Sequence, residues 1–176
     1  MAAIARSRLV RIPDPLARAG ITLRPELPGD DAFLLALYRS TREHELAIVP
    51  DWDEGVKAAF IAQQFAAQRH HYRGTIENCA FDVIERNGTL IGRLYTQERQ
   101  TQLHIVDIAL VAGERGQGLG QALLEGLIAE AGRAGKAVGI FVEGFNPARR
   151  LYDRLGFQPI GEQGVYLEME RLPDAS

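Results

Sequence analysis

The chain has 176 residues, 46% hydrophobic and 24% charged, with a net charge of −3. That size and mix suit one soluble domain with its own core, and the acidic balance excludes a strongly basic nucleic-acid surface. No run approaches the ~18 apolar residues that a membrane-spanning helix needs. A single cysteine, Cys79, cannot close an internal disulfide, so it is expected to be a small buried hydrophobe in a cytoplasmic protein.

The first twenty residues hold four arginines and one aspartate around no apolar signal core, and are expected to form a flexible arm. A single domain is then expected over residues 21–171, followed by a short tail, 172–176. ITLRP (21–25) alternates like a strand and stops at a proline. After Gly29-Asp30-Asp31, the residues Phe33, Leu34, Leu37 and Tyr38 recur on one helical face. A second helical pattern runs from Asp53 to His70 through Val56, Phe60, Ile61, Gln64 and Phe65.

From Ala80 the period falls to two. AFDVIER and TLIGRLYTQ flank Asn87-Gly88, the pair that a two-residue hairpin turn of positive φ requires. QLHIVDIALV (102–111) supplies a third strand, residues 118–134 a helix, and KAVGIFVE (136–143) a strand apolar enough to be covered on both faces. In NPARRLYDRLGF, Asn146 suits an N-cap, Pro147 a first helical position and Gly156 a C′ position. QPIGEQGVYLEMERL ends the domain as a strand pair. The order predicts an α/β (α+β) sandwich with a mixed sheet rather than repeated βαβ units.

The stretch ERGQGLGQALL (114–124) leads a strand into a helix through three glycines. A Walker loop is excluded, because no lysine lies between Lys57 and Lys136. A dinucleotide fingerprint fits poorly, since Gln121 stands where close helix packing needs a small residue. A third template, Arg/Gln-x-x-Gly-x-Gly/Ala, is met by Arg115, Gly118 and Gly120. Glycines that turn successive N–H groups inward, at the positive end of a helix, can cradle a diphosphate without a lysine.

At this loop the sequence resembles the GNAT superfamily of acetyl-CoA-dependent N-acetyltransferases. The family's second signature is matched about thirty residues later by Asn146, Tyr152, Leu155, Gly156 and Phe157. The resemblance covers residues 80–170 by motif. It implies a mostly antiparallel sheet with one splayed parallel strand pair, here 103–111 and 136–143, and helices on both faces. It also implies acetyl-CoA as co-substrate, with Leu110, Val111 and Ala112 offering backbone groups to its pantetheine arm. The N–H groups of Gly116, Gln117, Gly118, Leu119, Gly120 and Gln121 would meet its diphosphate, with Arg115 flanking and Asn146 near the pantetheine amides. Tyr152 would donate a proton to the departing sulfur.

Three residues are candidates for the general base: His104, Asp107 and Glu143. His104 stands eleven before Arg115, where histone-type members of the family carry a glutamate. Spaced three apart on one strand, His104 and Asp107 are expected on opposite faces, with Asp107 then a structural carboxylate. The segment EHELAIVPDWDE (43–54) would wall the acceptor pocket. Its five acids (Glu43, Glu45, Asp51, Asp53, Glu54) suit a cationic amine, with Tyr38 and Trp52 as apolar walls. The implied activity is acetyl transfer to a primary amine of a small molecule or protein, in a possible homodimer. A silent acyl-CoA-binding domain and a nucleotide-binding oxidoreductase are the alternatives.

Overall fold

In the computed structural model, which describes residues 10–174, seven strands make one sheet. They are β1 (Ile21–Pro25), β2 (Cys79–Arg86), β3 (Thr89–Glu98), β4 (Gln102–Leu110), β5 (Ala137–Glu143), β6 (Gln158–Gln163) and β7 (Tyr166–Arg171), ordered β1-β2-β3-β4-β5-β7-β6. Only β4 and β5 pair in parallel; every other neighbour is antiparallel. The helices are α1 (Asp14–Arg18), α2 (Asp31–Ser40), α3 (Glu43–Leu46), α4 (Glu54–Thr75), α5 (Leu119–Arg133) and α6 (Arg149–Arg154).

Local chemistry accounts for most of these elements. Asn87 and Gly88 take φ of 50° and 81°, so the β2–β3 hairpin closes on the turn its sequence demands. The Asp53 carboxylate caps α4 by accepting the Val56 N–H at 2.8 Å. This helix continues to Thr75, five residues past the predicted end, and its Val56 and Gln64 face solvent. At the other end of the chain, α6 starts at Arg149 rather than beside Asn146. Asn146 instead holds the preceding turn, its Oδ1 accepting the Ala148 N–H at 2.9 Å. Gly156, at φ 84°, stops α6 with the Phe157 N–H on the Tyr152 carbonyl and its own N–H on the Asp153 carbonyl.

Two cores sandwich the sheet. On one face the α5 leucines 119, 123, 124 and 127 meet Ile84, Leu94, Ile105, Val138, Ile140 and Met169. Each such buried side chain contributes roughly 1.5–3 kcal/mol. On the other face α2 and α4 bring Leu34, Tyr38, Ile61 and Phe65 onto Val83. Cys79 is buried, and burial pushes its thiol up to about 12, so it behaves as a small hydrophobe. Part of the expected flexible arm also docks here: Val10 is buried in the first core, with Ile12 and Leu16 packed against it. Residues 1–9 and 175–176 lie outside the described residues.

One irregularity shapes the site. Thr96 faces Ile105 and Tyr95 faces Asp107, so Val106 is an extra residue in β4. Such a bulge bends its strand, and the parallel ladder between β4 and β5 stops at Ile105–Ile140. Beyond that point the two strands part. The bulge also resets the alternation: His104 sits opposite Gln97 and Asp107 opposite Tyr95, two residues of one β3 face. His104 and Asp107 therefore share a face, contrary to a simple count of three. Among the described residues no helix is long and apolar enough to cross a membrane.

Candidate active site

The gap between the parted strands is a cleft of about 530 Å³. Its walls are Val106–Ala109 of β4 and Ile140–Glu143 of β5, closed by Asn146 and Tyr152 on one side and by Arg42, His44, Gln68, Tyr72 and Tyr166 on others. Past Ile105, β4 has no partner on its β5 side, so alternate backbone groups there are left unpaired by that strand.

At the end of β4 the chain makes a short 3₁₀ turn over Ala112–Glu114 and enters α5 through the glycine loop. Gly116 and Gly118 adopt φ of 70° and 83°, where a side chain is strained. The first intrahelical bond of α5 is from the Ala122 N–H to the Gly118 carbonyl. Among the described residues, the N–H groups of Gly116, Gln117, Gly118, Leu119, Gly120 and Gln121 find no protein acceptor. Six consecutive free donors at a helix N-terminus form an anion cradle. Arg115 turns away from it: Nε donates to the Leu110 carbonyl at 2.7 Å and its other arm to Ser40 Oγ at 2.8 Å. Val111 gives its N–H to Ile91, and the Ala112 carbonyl accepts the Arg115 N–H.

The Tyr152 ring is 5% exposed, lines the cleft and stands edge-on to Phe157 at 5.6 Å. Burial, followed by the Asp107 charge, pushes its phenol up, so it remains protonated and keeps an O–H to donate. Asn146 lines the cleft with its Oδ1 already engaged, which leaves its amide N–H groups available.

The three candidate bases part company. Asp107 is held by Arg93 through two bonds, 3.2 Å from Nε and 2.8 Å from the second terminal nitrogen, and it accepts the Tyr72 hydroxyl at 3.3 Å. It spans β4, β3 and α4. Glu143 lines the cleft with only a long contact, 3.4 Å, to Arg42. His104 lies on the same face but opens into a second cavity, described below.

His104 is 4% exposed, and burial, with a smaller push from Arg99, lowers its pKa to about 4. The unfolded chain therefore takes up a proton first as the solution is acidified. Stability tied to this group is full above 6.5, its ordinary value, and drains away as the pH falls toward 4. At 1.36 kcal/mol per unit the loss approaches about 3 kcal/mol. Denaturant midpoints across that window should fall more steeply for the native chain than for His104→Gln; parallel slopes would show that His104 is not responsible.

The five acids of segment 43–54 do not line the cleft as expected. Glu45 pairs with Arg42, Glu54 with Arg39 and Lys57, and Asp53 caps α4, while Trp52 packs on Phe60 and Tyr38 on Phe65. What reaches the cleft from this region is Thr41, Arg42 and His44. Arg42 stands one residue before the acidic run. Its contact with Glu143, 101 positions away, has no sequence signal.

A bulge that parts one parallel strand pair, with a glycine cradle at its end and a buried tyrosine across it, defines a class. The profile of the Acetyltransferase (GNAT) family matches residues 46–157, and the chain belongs to that family. A mycothiol acetyltransferase of Amycolatopsis mediterranei (strain U-32) is 30% identical over 158 residues, covering 82% of this chain and 48% of the relative. The chain thus spans about half the length of the curated relative it matches. The PaiA N-acetyltransferase of Thermoplasma acidophilum, solved in complex with coenzyme A, superposes with a TM-score of 0.63 at 16% identity, over 86% of this chain and 98% of that one. YncA of Salmonella typhimurium, solved with acetyl-CoA, gives 0.51 at 24% identity over 89% and 96%.

Proposed function

We propose that the chain transfers an acetyl group from acetyl-CoA to a primary amine. The observation that carries this reading is the row of six unpartnered N–H groups at residues 116–121, on the loop that follows β4, itself one wall of a strand gap also lined by Tyr152. A diphosphate fits those donors, and an amide-bearing arm fits the unpaired edge of β4. When bound, the thioester supplies an activated acyl carbonyl.

The chain's own groups do the rest. The free backbone edge of β4 beyond Ile105 would polarise that carbonyl. Tyr152 would hold and deliver a proton at its hydroxyl. Of the three candidate bases, Glu143 alone lines the cleft without a close partner, and it would accept the proton the amine loses. Asp107 would position Arg93 and Tyr72. Holding both substrates in one cleft would supply much of the remaining acceleration.

Acetyl-CoA should raise the melting temperature by mass action, with NAD leaving it unchanged. Free-thiol release across a panel of amines should then appear only with some acceptors. Stabilisation by NAD and not by acetyl-CoA would sink the reading. Stabilisation by acetyl-CoA with no thiol release from any amine would instead favour a silent binding domain.

A further inference from the structure

A second cavity of about 550 Å³ adjoins the cleft on the same face of the sheet. The two share Tyr72, Val106, Phe141 and Tyr166 as walls, so a ligand can run from one into the other. Nothing in the proposed chemistry uses this space. Its floor is His104, edge-on to Phe141 at 5.3 Å.

A chain of hydrogen bonds settles which histidine nitrogen carries the proton. Gln102 Nε2 donates to Glu170 at 2.6 Å, which makes Oε1 the acceptor end of that amide. Arg99 donates to the same Oε1 at 3.2 Å, and His104 Nδ1 lies 3.2 Å from it. An amide oxygen can only accept, so Nδ1 carries the hydrogen. Nε2 is left as a bare lone pair with no protein partner among the described residues. Gly139, opposite His104 on β5, makes this possible: a Cβ there would lie 2.4 Å from the Gln102 side chain. With its pKa near 4, the ring stays neutral, and an acceptor of hydrogen bonds, at neutral pH.

Charge limits what can lie against it. The described residues lining the second cavity include Arg99 and two histidines and no carboxylate. A second ammonium on the ligand would meet a cation there and no counter-ion.

We infer that the second cavity receives the remote end of the acceptor amine, and that it selects a neutral end whose O–H or N–H donates to His104 Nε2. His104 is then a specificity-determining residue rather than the base, and the acceptor is not a polyamine. This rests on the acetyl-transfer reading above.

The test uses alkylamines with their ω-hydroxy and ω-amino derivatives at several chain lengths, followed by thiol release from acetyl-CoA. At the fitting length the ω-hydroxy amine should exceed the plain amine in kcat/KM by about fivefold, the worth of one net hydrogen bond. It should exceed the diamine by about tenfold or more. In His104→Leu the preference over the plain amine should collapse toward one, whereas a merely structural lesion would lower all three acceptors together. Arg99→Glu, at an exposed site that keeps the variant foldable, should erase the bias against the diamine. Equal rates for plain and hydroxylated amines at every length, a wild-type preference for the diamine, or a hydroxyl preference that survives in His104→Leu would each overturn the inference. Absence of both acetyl-CoA stabilisation and thiol release would overturn the underlying acetyl-transfer reading, and this one with it.

Discussion

Tyr152→Phe is expected to release thiol from acetyl-CoA about a hundredfold more slowly, while acetyl-CoA raises its melting temperature as much as before. Loss of a positioned proton donor costs 10²–10⁴-fold. The ring is seated by the Phe157 contact and by the glycine stop at the end of α6, neither of which involves the hydroxyl. That hydroxyl has no protein partner among the described residues, so its removal strands no buried group. Because burial raises the phenol, the native rate should also stay flat on the alkaline side until the amine or the fold titrates. Full turnover by the Phe variant would reduce Tyr152 to a packing role.

Asp107→Ala should cost about 3–5 kcal/mol of folding free energy, because it leaves the Arg93 guanidinium, 2% exposed, without its charge partner in the middle of the sheet. Gln68 would still accept one arm at 3.0 Å, but an amide oxygen does not balance a buried cation. Against a typical total of 5–15 kcal/mol this is a large share. Replacing both partners by apolar residues, Arg93→Met with Asp107→Leu, should recover most of the loss. Urea unfolding of the native chain and the two variants decides it. An Asp107→Ala chain within about 1 kcal/mol of the native one would remove the structural role argued here.

These expectations rest on features of unequal legibility. The Asn87-Gly88 turn, the Gly156 stop and the Asp53 cap were readable because each is local: one or two residues carry the required φ or the required acceptor. The glycine loop was readable for the same reason: two glycines of positive φ stand directly before α5. The Val106 bulge was not readable, since HIVDIAL has no glycine or proline to mark an extra residue. That one omission misassigned the faces of His104 and Asp107. The acceptor wall was misread for a different reason: three of its five acids, Glu45, Asp53 and Glu54, are taken up by ion pairs or a helix cap, and the Arg39–Glu54 pair spans fifteen positions. Gly139 did carry a signal, a glycine inside an otherwise apolar strand, which points to close approach by another group.

The cradle at residues 116–121 has a consequence for how this family member can drift. Under the proposed function its contacts to the diphosphate would come from the main chain, indifferent to most of the side chains displayed there. Saturation of the loop should therefore tolerate exchange at Gln117 and Gln121, whose amides point to Gly113 and Glu125. Gly120 has room for a methyl group, with its nearest neighbour 3.8 Å away. Gly116 and Gly118, fixed by their positive φ, and Leu119, buried in the core under α5, should be closed to substitution. Selection on this segment acts on the shape of the backbone, and on side chains only where one is buried beneath it.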